Sequence, residues 1–123
     1  MGKFVISATK NGGFKFNLKA TNGQIVATSQ TYKSLDTCKA GANSVITNAP
    51  AAALEDQTVE GFEIQKHPKF EVYADKAGEF RFRLKAKNGE IIATGEGYTT
   101  KKACEAGVES VRKNSVDAQI VEE

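Results

Sequence analysis

The sequence predicts an α+β domain made of two tandem copies of one β-β-β-α-β unit, and three observations predict it. Placing Lys3 over Lys69 and running forward without a gap gives 22 identities in the 47 positions from 3 to 49, at a constant offset of 66, where chance gives roughly one in twenty. Within each copy, apolar residues first alternate with polar ones, the period of a half-buried strand. Further on they recur at i, i+3, i+4 and i+7, the period of one helix face.

The elements follow in order. Phe4, Ile6 and Ala8, like Phe70, Val72 and Ala74, alternate with polar positions and mark a first strand. A turn follows at Asn11-Gly12 and Ala77-Gly78. The clearest strand comes next: Phe14, Phe16, Leu18 and Ala20 interleave with Lys15, Asn17 and Lys19, and Phe80, Phe82, Leu84 and Ala86 with Arg81, Arg83 and Lys85. Asn22-Gly23 and Asn88-Gly89 predict two-residue type I′ hairpin turns, which need positive φ at both central positions. Third strands are expected over Gln24–Ser29 and Glu90–Gly95. Ser34 and Thr100 then read as N-caps, each offering a side-chain oxygen to an unpaired amide of the first helical turn. Cys38, Gly41, Ala42 and Val45, with Cys104, Gly107, Val108 and Val111, form the buried helix face. Asn48 and Asn114 suit the helix ends, Pro50 stops the first helix, and short fourth strands are expected at Ala52–Asp56 and Gln119–Glu122.

One unit alone has a sheet with one apolar face, a single short helix to cover it and two open edges. Two copies relieve this by joining edges and laying both helices on one side, a covalent version of a two-fold dimer, so a monomer with internal pseudo-dimer symmetry is expected. The reading is one domain over 1–123, with repeat one at 1–57, a linker at 58–68 and repeat two at 69–123. Phe62 and Ile64 suggest that the linker is not wholly free in solvent.

Composition narrows the function classes. Charged residues make up 26% and the net charge is +2, unlike a uniformly basic nucleic-acid binder. The charge is uneven: residues 1–50 sum to +5, 51–68 to −3 and 69–123 to zero. No apolar run approaches the roughly 20 residues that span a bilayer, and neither a secretory signal nor a complete myristoylation motif is seen at the start, where Ile6 stands in place of Ser or Thr. A cytoplasmic protein is expected. Two cysteines and one histidine make neither a disulfide framework nor a zinc set, and no phosphate loop, hydrolase elbow, HExxH or dinucleotide fingerprint is present. The expectation is therefore no cofactor, no metal and no catalytic residue.

The run Phe80-Arg81-Phe82-Arg83-Leu84-Lys85-Ala86-Lys87-Asn88-Gly89-Glu90, then Glu96-Gly97-Tyr98, then Gly107-Val108-Glu109-Ser110-Val111-Arg112-Lys113-Asn114 resembles the YegP-like family of small prokaryotic proteins of uncharacterised function. The first copy repeats these motifs more loosely, departing at Ala42, Gln30 and Ile46. The resemblance implies two tandem β-β-β-α-β repeats forming one continuous antiparallel sheet, both helices on one face, with the C-terminal strands exchanged: Ala52–Asp56 pairing with the second unit and Gln119–Glu122 with the first. It implies no activity, substrate or catalytic residue.

The residues with most chemical interest are the cations that the strand period turns away from the helices: Lys15, Lys19, Arg81, Arg83 and Lys85, with Tyr73 the one aromatic on their side. Together they form a possible binding surface for an acidic protein or nucleic acid backbone, with Glu71, Glu79 and Glu90 as potential cross-strand partners. Cys38 and Cys104 read as small core residues, Gly41 and Gly107 as points of close helix packing, Tyr32 and Tyr98 as staples at the helix entry, and His67 as a linker residue. The leading reading is a non-catalytic binding or interaction module using the exposed sheet face. Two alternatives stand beside it: a small-ligand protein or enzyme with a site at the seam between repeats, and a structural or stress-related protein without a defined ligand.

Overall fold

The computed structural model describes residues 2–123. The strands are β1 (Lys3–Ala8), β2 (Phe14–Lys19), β3 (Ile25–Thr28), β4 (Ala53–Asp56), β5 (Lys69–Ala74), β6 (Phe80–Lys85), β7 (Ile91–Thr94) and β8 (Gln119–Glu122), and the helices are α1 (Leu35–Asn48) and α2 (Lys101–Ser115). The hairpin turns differ from the expected type. Gly23 N–H donates to Ala20 O at 2.9 Å and Ala20 N–H to Gln24 O at 2.9 Å, so Thr21, Asn22 and Gly23 form a three-residue loop. Only the glycine has positive φ, +85° at both Gly23 and Gly89. A three-residue loop closing on a left-handed glycine satisfies the same Asn-Gly signal, and the Asn22 carboxamide oxygen adds an acceptor for Gln24 N–H at 3.0 Å.

Both helices begin where the caps predict. Ser34 accepts from Thr37 N–H and Thr37 bonds back to the Ser34 backbone, while Thr100 accepts from Ala103 N–H. Cys38, Gly41, Ala42 and Val45 of α1, with Cys104, Gly107, Val108 and Val111 of α2, are buried against Phe4, Ile6, Phe16, Leu18, Phe70, Val72, Phe82 and Leu84. Each fully buried Phe or Leu contributes about 1.5–3 kcal/mol. The helix glycines have a specific cause: a Cβ on Gly41 would collide with the Tyr32 hydroxyl, and one on Gly107 would lie 2.5 Å from that of Tyr98. Each tyrosine lies stacked on a core phenylalanine, Tyr32 on Phe16 and Tyr98 on Phe82, with centroids 6.4 Å apart in both pairs.

All eight strands form one sheet in the order β4-β5-β6-β7-β3-β2-β1-β8. The last strand of each repeat thus lies beside the first strand of the other. The sheet is not antiparallel throughout: the six central strands are, but β4 runs parallel to β5 and β8 parallel to β1. The cause lies in where the helices deliver the chain. The end of α2 lies against Gly2, whose Cβ would meet Asn114 O at 2.7 Å, so β8 starts level with β1 (Lys3 opposite Gln119) and runs the same way. In repeat one, Ala53 N–H bonds Pro68 O at 3.3 Å, and β4 likewise starts level with β5.

At the centre of the sheet, between β3 and β7, the repeats meet at a single register pair, Thr28 opposite Thr94. These are equivalent residues, so the pseudo-two-fold axis passes between them. The linker is held by polar groups rather than by its two apolar side chains. Phe62 is 39% and Ile64 78% exposed; polar groups tie the segment down instead, through Gln57 N–H to Val72 O and Gln65 N–H to Glu55 Oε1. Asp56 at the end of β4 also reaches Lys101 at the start of α2, 2.8 Å away.

Candidate functional site

The face of the sheet opposite the helices holds the candidate residues. Cross-strand register places Val121, Val5, Asn17, Thr28, Thr94, Arg83, Glu71 and Glu55 in one row across all eight strands. Two-fold equivalents lie at equal distances from its centre, so the row compares the halves directly: Val121 against Glu55, Val5 against Glu71, Asn17 against Arg83.

On the repeat-two side the row is a closed ionic network. Glu55 and Lys69 are 2% and 5% exposed and bridge at 2.7 Å. Glu71 receives Lys69 and Lys85, each at 3.3 Å, and Arg83 through Nε. Gln57 Nε2 occupies the other Glu55 oxygen at 2.6 Å. Burial works to raise the Glu55 pKa, but the Lys69 ammonium, the Gln57 amide and the Gln65 N–H outweigh it and hold the carboxyl at about 2 against an ordinary 4.5. Burial also opposes ionisation of Glu71, whose pKa is nevertheless lowered by Arg83, Lys69 and Lys85. A buried charge is tolerated only with such full pairing.

On the repeat-one side Lys3 and Lys15 are exposed and Lys19 half-buried. Strands β1, β2 and β3 contain no acidic residue, and none of the three lysines has an ion pair among the described residues. Ile25, in register with Lys19, is 50% exposed beside them.

The six residues singled out from the sequence share this face but not one environment. Arg83 and Lys85 are bound to Glu71. Arg81 is held through Nε by Asp75 at 2.6 Å, with Glu79 3.9 Å from its Nη2. Tyr73 is half-buried beneath the Arg83 guanidinium, 4.6 Å from its ring centroid. Lys15 is exposed and Lys19 half-buried, neither with an ion pair among the described residues. Of the expected acidic partners Glu71 and Glu79 lie near the cations, while Glu90 has no ion pair among the described residues. Asp75, Glu55 and Lys69 were not anticipated. The signal for Glu55 and Glu71 lay in the repeat itself, where each acid replaces a valine at an outward position.

At the seam, below the Thr28–Thr94 pair, lies a cleft of about 440 Å³ lined in part by Lys15, Asn17, Ile25, Arg81, Thr94 and Glu96. Elsewhere the reactive groups are withdrawn. Cys38 and Cys104 are free and fully buried, and burial, with Glu105 and Asp56 adding to it, pushes the Cys104 thiol up to about 11. Among the described residues no group of three or more His, Cys, Asp and Glu is placed to hold a metal ion, and no helix is long and apolar enough to cross a membrane.

A family model described as a domain of unknown function, DUF1508, matches the chain twice, over residues 9–56 and 75–122. The chain belongs to the DUF1508 family. A UPF0339 protein from the ptx operon 5′ region of Stutzerimonas stutzeri is 36% identical over 121 residues, covering 98% of this chain and 96% of that one. The UPF0339 protein YegP of Yersinia pestis is 36% identical over 98% of this chain and 94% of its own. The solution NMR structure of the protein of unknown function yegP from E. coli superposes with a TM-score of 0.80 at 30% identity, covering 99% of this chain and 92% of that one. A UPF0339 protein of Treponema denticola is 63% identical over 54 residues, 44% of this chain but 93% of that protein. One DUF1508 unit therefore makes up nearly all of that relative, and this chain carries two.

Proposed function

We propose that this DUF1508 protein is a non-catalytic interaction module that binds an acidic protein surface through the repeat-one half of its outer sheet face. One observation carries the reading: Lys3, Lys15 and Lys19 stand on that half with no acid on β1–β3, whereas the repeat-two cations are engaged internally. Unpaired cations on an exposed sheet attract an acidic surface over a Debye length of about 10 Å at 0.1 M salt. The aromatic rings of β1–β3 point into the core, so the half lacks the stacking platforms that support single-strand binding, and the exposed Ile25 suits a protein partner. The test is an NMR titration with an eight-residue oligoglutamate peptide and, separately, with single-stranded DNA and RNA, at low and moderate salt. Salt-sensitive shifts on β1–β3 with the peptide are expected. Saturable binding to the oligonucleotides in preference to the peptide would replace the protein partner with nucleic acid, and no binding to any probe would remove the reading.

A further inference from the structure

The duplication shows what an occupied lysine pair looks like. In repeat two, Lys69 on β5 lies directly opposite Lys85 on β6, and one oxygen of Glu71, Oε2, receives both ammonium groups at 3.3 Å. A single carboxylate therefore fits between two lysines in this register. In repeat one the pair is kept and the acid is not. Lys3 on β1 lies directly opposite Lys19 on β2, but Val5 stands at the position of Glu71 and Val121 at that of Glu55. Like charges directly opposite each other on adjacent strands repel, and no acid on β1–β3 relieves them. Glu122, the acid of β8, is bridged to Lys39 at 2.8 Å, and Glu123, whose N–H bonds Ile6 O, lies toward the other end of β1. On its far side Lys19 is in register with Ile25 of β3, which is half exposed.

Resting on the proposed interaction face, we infer that Lys3 and Lys19 are its anchor: they close on one carboxylate of the acidic partner, which supplies from outside what Glu71 supplies within repeat two. Ile25 gives the second contact. From the middle of the lysine pair to Ile25 is one and a half strand spacings, about 7 Å, and two residues of an extended chain advance by about the same distance. The partner therefore lays an extended segment across the strands, with an apolar side chain two residues from its anchoring glutamate or aspartate. Binding is one site per chain despite two repeats, because Glu71 already fills the counterpart pair.

The probe is an eight-residue peptide of alternating glutamate and serine with leucine at one glutamate position, titrated into the full chain by NMR at low salt. Amide shifts should centre on Lys3, Val5, Lys19 and Ile25, with 1:1 stoichiometry. Lys3→Gln and Lys19→Gln are each expected to weaken binding about tenfold, the size of one lost close charge contact. Lys15→Gln removes the same charge from the same face, but Lys15 has Ser7 as its cross-strand partner, and the loss should stay below about threefold. Val5→Glu gives Lys3 and Lys19 the acid that repeat two has and should weaken binding by more than about tenfold in a chain that keeps its amide dispersion. Should that variant not fold, Asn17→Asp, opposite Val5 and unchanged in size, offers an acid in its place and should also weaken the peptide more than Lys15→Gln does. If the peptide binds and the three lysine variants weaken it equally, or if folded Val5→Glu binds it as the wild type does, the anchor is overturned while the interaction face stands. Binding of oligoglutamate but not of this peptide has the same meaning. If the wild-type chain binds neither, the interaction reading falls and the anchor with it.

Discussion

The two halves of the molecule share an interior and differ in their outer surface. Inside, equivalent residues do equivalent work: Phe16 and Phe82 each carry a stacked tyrosine, and each tyrosine hydroxyl lies against the glycine of its own helix. Outside, the same row across the sheet reads Val121, Val5, Asn17 on one side and Glu55, Glu71, Arg83 on the other. The lesson is that duplication preserves what packing demands and frees what packing does not. One outer face has become a self-neutralised network beneath its linker, and the other an uncompensated basic surface.

The sharpest way to break the comparison is to make one substitution in both halves. Lys69→Met leaves Glu55 and Glu71 buried without a shared cation and should cost about 3–5 kcal/mol. Lys3→Met, at the equivalent position but exposed, should stay within about 0.5 kcal/mol. Urea unfolding of the two variants measures the difference; equal losses would mean that the halves are alike.

Next in size is Glu55→Gln, expected to cost roughly 3 kcal/mol at pH 7 because the folded carboxyl sits at about 2 and its ordinary value is 4.5. The folded pKa is depressed, so the stabilisation is complete above the ordinary value and is lost as pH falls toward 2. The gap between wild type and variant should therefore close between pH 4.5 and 2, as denaturant midpoints across that range would show.

A smaller effect tests the shared interior. Gly107→Ala puts a Cβ 2.5 Å from the Tyr98 hydroxyl and should cost about 1–3 kcal/mol, although Ala for Gly in an open helix gains about 1 kcal/mol. Adding Tyr98→Phe should recover part of the loss. Gly41→Ala with Tyr32→Phe should behave the same way, and thermal melts of the four variants check whether the interiors are truly equivalent.

The interior was legible because alternation, helix period and caps each appear twice. The repeat exposed the strands at Phe14–Ala20 and Phe80–Ala86 and the glycines in the helices, although not that a tyrosine hydroxyl requires them. The exchange of β4 and β8 was available only from the family resemblance, and the parallel direction of both edge pairs was not foreseen, since it depends on where the helices release the chain. The outer face was read too simply. Strand period turned Arg81, Arg83 and Lys85 outward and offered Glu71 and Glu79 as partners, but it missed Asp75 in the turn after β5 and the acid at the core of the network, Glu55, which comes from β4 beside β5. Local pattern cannot report a pair that only the exchange creates.

The least perturbing prediction concerns the thiols. With its pKa pushed up to about 11 by burial, Cys104 should resist iodoacetamide at pH 8 in the folded chain and react fully once unfolded, since the thiolate is the reactive form. Mass spectrometry reads the outcome.

The central contrast, open cations on one half and engaged cations on the other, is tested most directly by limited lysine acetylation of the native chain followed by peptide mass spectrometry. Lys3 and Lys15 should be modified early and Lys69 and Lys85 last, with Lys69 protected until the chain unfolds. Modification of Lys69 and Lys85 at the rate of Lys3 would contradict the account.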